Sequence, residues 1–85
     1  MNEWEHIGAA GTYVLDTNAG ILKRITINTA PGGIVSVYDG VTVAGRKIAS
    51  IKSATAEQTL DYDLPYLTGL TVVVVTSADL TVVMN

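Results

Sequence analysis

Leu70 to Thr76 reads Leu-Thr-Val-Val-Val-Val-Thr, so residues 71–76 are six β-branched side chains in succession. Two heavy atoms on Cβ restrict χ1, a restriction that costs least on the pleated surface of an extended strand. The stretch Leu70 to Val75 carries no charge and no Pro, the profile of a segment that pairs with other chains when left bare. It must be covered on both faces. Two arrangements do this: a central strand with one face on the core and the other under a loop, or a strand whose second face packs on a neighbouring subunit. The same chemistry runs through the whole chain, where 11 Val, 7 Ile and 11 Thr make about a third of the 85 residues. The chain reads as all-β. Charged residues are 15% of it, against about 25% in an average soluble domain, which points to a surface that partly faces protein rather than water.

At 8.9 kDa there is room for one domain and one thin core. The net charge is −3, and the five cations are scattered as Lys23-Arg24, Arg46-Lys47 and Lys52. Neutralising phosphates requires a clustered positive surface, so nucleic acid is not an expected partner. No Cys is present, which removes disulfides, thiol chemistry and Cys-based zinc sites. The first residues, MNEWEHIGAAG, are acidic where a signal peptide is basic, and no apolar run approaches the about 18 residues of a membrane span. No membrane association and no cofactor are expected.

Turn signals recur about every eight to twelve residues, the spacing of a small sandwich or barrel. Residues 1–11 show no clear period and read as an N-terminal arm; residues 12–85 read as a single β-sandwich domain. Thr12 to Asp16 is a short strand closed by Asp16-Thr17-Asn18-Ala19-Gly20. In GILKRITINT, Ile21, Lys23, Ile25 and Ile27 share one face, and Ile25 and Ile27 are core candidates. Ala30-Pro31-Gly32-Gly33 is a turn, Ile34 to Asp39 a strand, and Val41 to Gly45 a loop or short edge segment. Arg46 to Lys52 is a strand in which Ile48 and Ile51, three apart, point to opposite faces unless a bulge intervenes. Ser53 to Glu57 is a polar turn, long enough to hold a single helical turn. In QTLDYDLPY, Leu60, Tyr62 and Leu64 alternate with Asp61 and Asp63, and Pro65 is expected to stop the strand. Ser77-Ala78-Asp79 leads into a last strand, Leu80 to Met84. About seven strands in jelly-roll or Greek-key order make a small antiparallel β-sandwich.

The order GILKRITINTAPGGIVSVYDG, GRKIASIKSAT, LDYDLPYLTGLTVVVVTSADLTVVM resembles a group of small β-sandwich structural proteins of tailed phages and prophages, some of them similar to capsid decoration or head-fibre subunits. The resemblance covers residues 12 to 85, and its most specific pieces are the turn Tyr38-Asp39-Gly40 and the Gly-Leu-Thr-Val run from Gly69 to Val72. It implies a virion protein without catalytic residues, made in the bacterial cytoplasm and attached to a phage capsid or fibre protein.

Each candidate side chain has an ordinary reading beside a functional one. His6, the one histidine, would need Glu3 and Glu5 as companions to hold a metal, and an acidic tail with one His is the simpler account. Asp61 and Asp63, on one strand face, suit a solvated surface that discourages stray pairing better than a Ca²⁺ site or a glycosidase pair. Trp4 either folds back to cap its own sandwich or anchors the arm, with Ile7 beside it, on another protein. The expected interface residues are Trp4, Ile7, Val73, Val75 and Val83, with no catalytic, metal or cofactor residue. The expected function is that of a non-enzymatic phage structural subunit, a homo-oligomer read as a trimer. The alternative is a small carbohydrate-binding module in which two or three of Trp4, Tyr13, Tyr38, Tyr62 and Tyr66 stack on sugars from one face.

Overall fold

The structure, a computed structural model, describes residues 3–29, 33–52, 58–76 and 79–85. Eight strands alternate with short connections: β1 (Glu3–Ile7), β2 (Gly11–Asp16), β3 (Gly20–Thr29), β4 (Val35–Asp39), β5 (Arg46–Ile51), β6 (Gln58–Tyr66), β7 (Leu70–Val74) and β8 (Asp79–Met84). They pair antiparallel in two sheets of four, ordered β1-β8-β3-β6 and β2-β7-β4-β5. Of the seven connections, β4 to β5 alone is a hairpin between sheet neighbours; the other six pass from one sheet to the other. That order is a jelly roll, two Greek keys folded face to face. The sequence-based expectation of a small antiparallel sandwich holds, with eight strands rather than about seven.

The extra strand comes from the segment expected to be an arm. Residues 3–7 lie along β8 with Trp4 opposite Val83 and Ile7 opposite Leu80. Ile7 is 1% exposed and joins Leu22, Ile25, Ile27, Val35, Val37, Leu70, Val72, Val74, Leu80 and Val82 in the core between the sheets. Two apolar residues three apart, Trp4 and Ile7, fall on opposite strand parities and make a weak periodic signal. What recruits the segment is the free edge of β8, whose unpaired backbone groups it satisfies.

Bulges explain the other departures. Leu22 is buried with Ile25 because both registers of β3 shift between Leu22 and Arg24: against β8 Lys23 is an extra residue, against β6 the extra residue lies on β6, and the inward face of β3 changes parity. On β6 the same irregularity coincides with Asp63 at φ 51°, a left-handed conformation Asp tolerates better than most residues. In β5 a register shift between Val37 and Tyr38 leaves Ile48 without a partner while Ala49 faces Val37 and Ile51 faces Val35. Both Ile48 and Ile51 then lie against the core. Pro65 does not end β6: the strand is an edge, paired only with β3, and an edge tolerates a missing N–H. Residues 41–45 form a turn rather than a strand, and the turns expected at 30–32, 53–57 and 77–78 lie outside the described residues.

The two sequence pieces singled out above, Tyr38-Asp39-Gly40 and Gly69 to Val72, meet where β4 runs beside β7. The Asp39 carboxylate accepts the backbone N–H groups of Leu67 and Thr68 and the Thr68 hydroxyl, at 2.9 to 3.2 Å. Gly40 N donates to Gly69 O at 3.1 Å. Gly69, at φ +152°, has no room for a Cβ, which would fall 2.8 Å from the Asp16 carbonyl oxygen. No helix is long and apolar enough to cross a membrane among the described residues.

Candidate interaction surface

The valine-rich run forms β7 and lies inside the second sheet, between β2 and β4. Alternation sends Leu70, Val72 and Val74 into the core. Thr71, on the other face, is fully buried beneath the β4–β5 turn, its hydroxyl donating to Gly40 O at 2.7 Å. Cover from within ends there. Val73 is half-buried, and Val75, one residue past the strand, is 64% exposed.

The register places other side chains beside them. Thr12, Val73, Ser36 and Ser50 form one row across the outer face of the second sheet, and Val14, Thr71, Tyr38 and Lys47 form the next. Val14 and Ile34 are exposed apolar groups, as is Val75. The one charge in these rows, Lys47, sits on edge strand β5 with its ammonium 5.7 Å from the centre of the Tyr38 ring. This face is nearly uncharged, hydroxyl-rich and apolar in a stripe, and a surface of that kind loses little on leaving water.

The outer face of the first sheet is different in kind. Its charges are paired across strands: Arg24 with Asp61 at 3.6 Å and Lys23 with Asp63 at 3.5 Å. His6 Nε2 lies 2.6 Å from Asp79 Oδ1, and the Asn28 amide donates to the same oxygen at 3.1 Å. The hydrogen bonds from His6 and Asn28 hold the Asp79 carboxyl below its ordinary range. Trp4, 66% exposed, stands at the rim of this face with half-buried Val83 beside it.

The five expected interface residues therefore separate. Val73 and Val75 lie on the outer side of the second sheet. Trp4 and Val83 lie on the outer side of the first, at the opposite surface of the sandwich. Ile7 is in the core and has no free surface to offer a partner, because β1 pairs in register with β8 and turns that side chain inward. Val14 and Ile34 are exposed beside this stripe without having been expected there; in the sequence Val14 falls on one parity of its strand and Tyr13 and Leu15 on the other, so the strand carries apolar groups on both faces.

Other candidates sit in ordinary places. His6 shares a strand face with Trp4 and not with Glu5, and among the described residues no three His, Cys, Asp or Glu side chains converge on a metal position. Tyr66 is buried with its hydroxyl on Asp16, Tyr13 is tied to the Ala9 carbonyl, and Tyr62 is half-buried against the core. That leaves Trp4 and Tyr38, on opposite faces, and no shared aromatic platform for a sugar.

No family model and no curated protein matches this chain. Solved structures do share its fold. A chain from Bacillus endospore appendages, described as a novel family of disulfide-linked pili, superposes with a TM-score of 0.61 and 15% identity over 99% of this chain and 82% of that one. The Drosophila NLP-core, whose crystal structure concerns pentamer formation and histone binding, gives a TM-score of 0.61 and 11% identity over 100% of this chain and 96% of the other. At such identities the likeness is one of fold. With no Cys in this sequence, a disulfide link of the pilus type has no counterpart here.

Proposed function

We propose that this protein is a non-enzymatic structural subunit that works as an oligomer, with the outer face of the second sheet as the contact between copies. The observation that carries the proposal is the outward exposure of Val14, Ile34 and Val75, with half-buried Val73, on a sheet face whose two central rows hold one charge among the described residues, Lys47 at the edge. Each Val buried there contributes about 1.5 kcal/mol, and several per copy outweigh the ordering of short, stiff side chains. Two proteins of similar fold, a pilus and a pentamer-forming core, are themselves assemblies, which supports this reading. In its finer form the proposal is a trimer carried on the capsid or fibre base of a tailed phage, and that part rests on the sequence resemblance of residues 12 to 85.

Sedimentation at micromolar concentration tests the assembly. A species of three chains is expected, and Val75→Lys together with Val73→Lys returns it to the monomer with the fold intact. A wild-type species that stays at 8.9 kDa overturns the proposal. For the virion placement, purified protein is mixed with phage particles that lack it; failure to co-sediment with them removes the phage part alone.

A further inference from the structure

The surplus positive charge of the fold is gathered at one edge. Among the described residues, Lys23 and Arg24 have carboxylate partners within 4 Å, while no ion pair engages Arg46, Lys47 or Lys52, all on or just past β5. Strand β5 is one edge of the second sheet and β6 one edge of the first. Between them runs a groove of about 350 Å³ with Ile48, Leu64, Pro65 and Leu67 as its apolar wall and Arg46 and Lys47 on its β5 side. Leu67 is 74% exposed, the barest large apolar side chain described. Asp39 also borders the groove, but its carboxylate is already taken by the Leu67 and Thr68 amides.

At the other side of the sandwich, the opposite edge of the first sheet is β1, which begins Glu3-Trp4-Glu5. Trp4 is the only Trp of the chain and lies mostly in water. An exposed indole is complementary to an apolar groove flanked by cations, because the ring fills the apolar wall and its face receives Arg46 or Lys47, while Glu5, on the other face of β1, adds a longer-range attraction to the same cations. The two features cannot meet within one copy, since β1 and β5 lie at opposite ends of different sheets.

We infer that Trp4 of one copy docks in the β5–β6 groove of another, a head-to-tail contact separate from the face of the second sheet. This contact would join oligomers to one another and rests on the assembly proposed above. A contact between two unlike surfaces propagates from copy to copy until a rotation closes it. Asp61 and Asp63 on β6 are neutralised by Arg24 and Lys23, so the groove presents net positive charge to the incoming strand.

Trp4, as the sole indole, reports on its own burial. Emission and sedimenting mass are followed together across a concentration series of the full chain. The expected result is a red, water-exposed emission at low concentration that shifts blue as the mass grows beyond the first oligomer. Trp4→Ala, read by mass alone, raises the midpoint of that growth about thirtyfold. Arg46→Glu raises it about tenfold, and combining it with Glu5→Lys recovers part of the loss. Growth in mass with unmoved emission, or with no effect of Arg46→Glu, overturns the docking and leaves the assembly proposal standing. A wild-type chain that remains a monomer throughout overturns both.

Discussion

Thr71 and Gly40 are joined by a hydrogen bond of 2.7 Å from the threonine hydroxyl to the glycine carbonyl, and both residues are buried. Thr71 is the only fully buried polar side chain described, and it seals the outer face of β7 at the point where the β4–β5 turn folds over it. Thr71→Val keeps the shape and removes the donor, leaving the Gly40 carbonyl without its side-chain partner. The expected loss is about 1–3 kcal/mol by urea unfolding, with Thr71→Ser recovering part of it.

Ile7 and Trp4 lie three residues apart on β1 and predict opposite behaviour. Ile7→Ala opens a cavity beneath Leu80 and costs about 2–5 kcal/mol. Trp4→Ala changes the stability of the single chain by no more than about 0.5 kcal/mol, since its ring is mostly in water. Denaturant midpoints of the two variants, taken at concentrations low enough to keep the chain dissociated, check the contrast. Equal losses would place Trp4 in the core.

Acid should loosen the fold through two carboxylates. Backbone hydrogen bonds from Thr68 and Leu67 lower the Asp39 pKa, and hydrogen bonds from His6 and Asn28 lower that of Asp79, each from 3.8. A carboxylate depressed in the native state stabilises the fold above its unfolded value and loses that contribution as pH falls through the native one. The thermal midpoint is therefore expected to drop as pH falls below 3.8. Asp39→Asn starts lower at neutral pH, and its gap to the wild type narrows toward about pH 2.

Gly45 stands where a Cβ would lie 2.4 Å from the Asp39 carbonyl oxygen and 3.1 Å from the Gly40 Cα. The obstacle is backbone and cannot swing aside. Gly45→Ala is expected to destabilise by about 1–3 kcal/mol and to shift the β4–β5 turn. Gly8→Ala, whose Cβ would meet only the His6 ring at 3.4 Å, serves as the control in the same thermal scan.

Local chemistry by itself determined the class of this protein. The β-branched run at residues 71–76, the alternation of Ile25 and Ile27, and the Asp-Gly and Pro-Gly turn signals specify strands and their spacing, because side-chain branching and backbone freedom act within a few residues. They led to an all-β sandwich and to Val73 and Val75 as outward residues. Tertiary structure decided the rest. Leu22 reached the core only because Lys23 bulges, and Pro65 stayed in a strand only because β6 became an edge. Ile7 is buried because β8, more than seventy residues along the chain, offers the first residues an edge to pair with. The division of Trp4 and Val83 from Val73 and Val75 has the same origin. Which sheet a strand joins depends on pairings between distant residues, and an alternating pattern says which side chains share a face without saying which face of the molecule that will be.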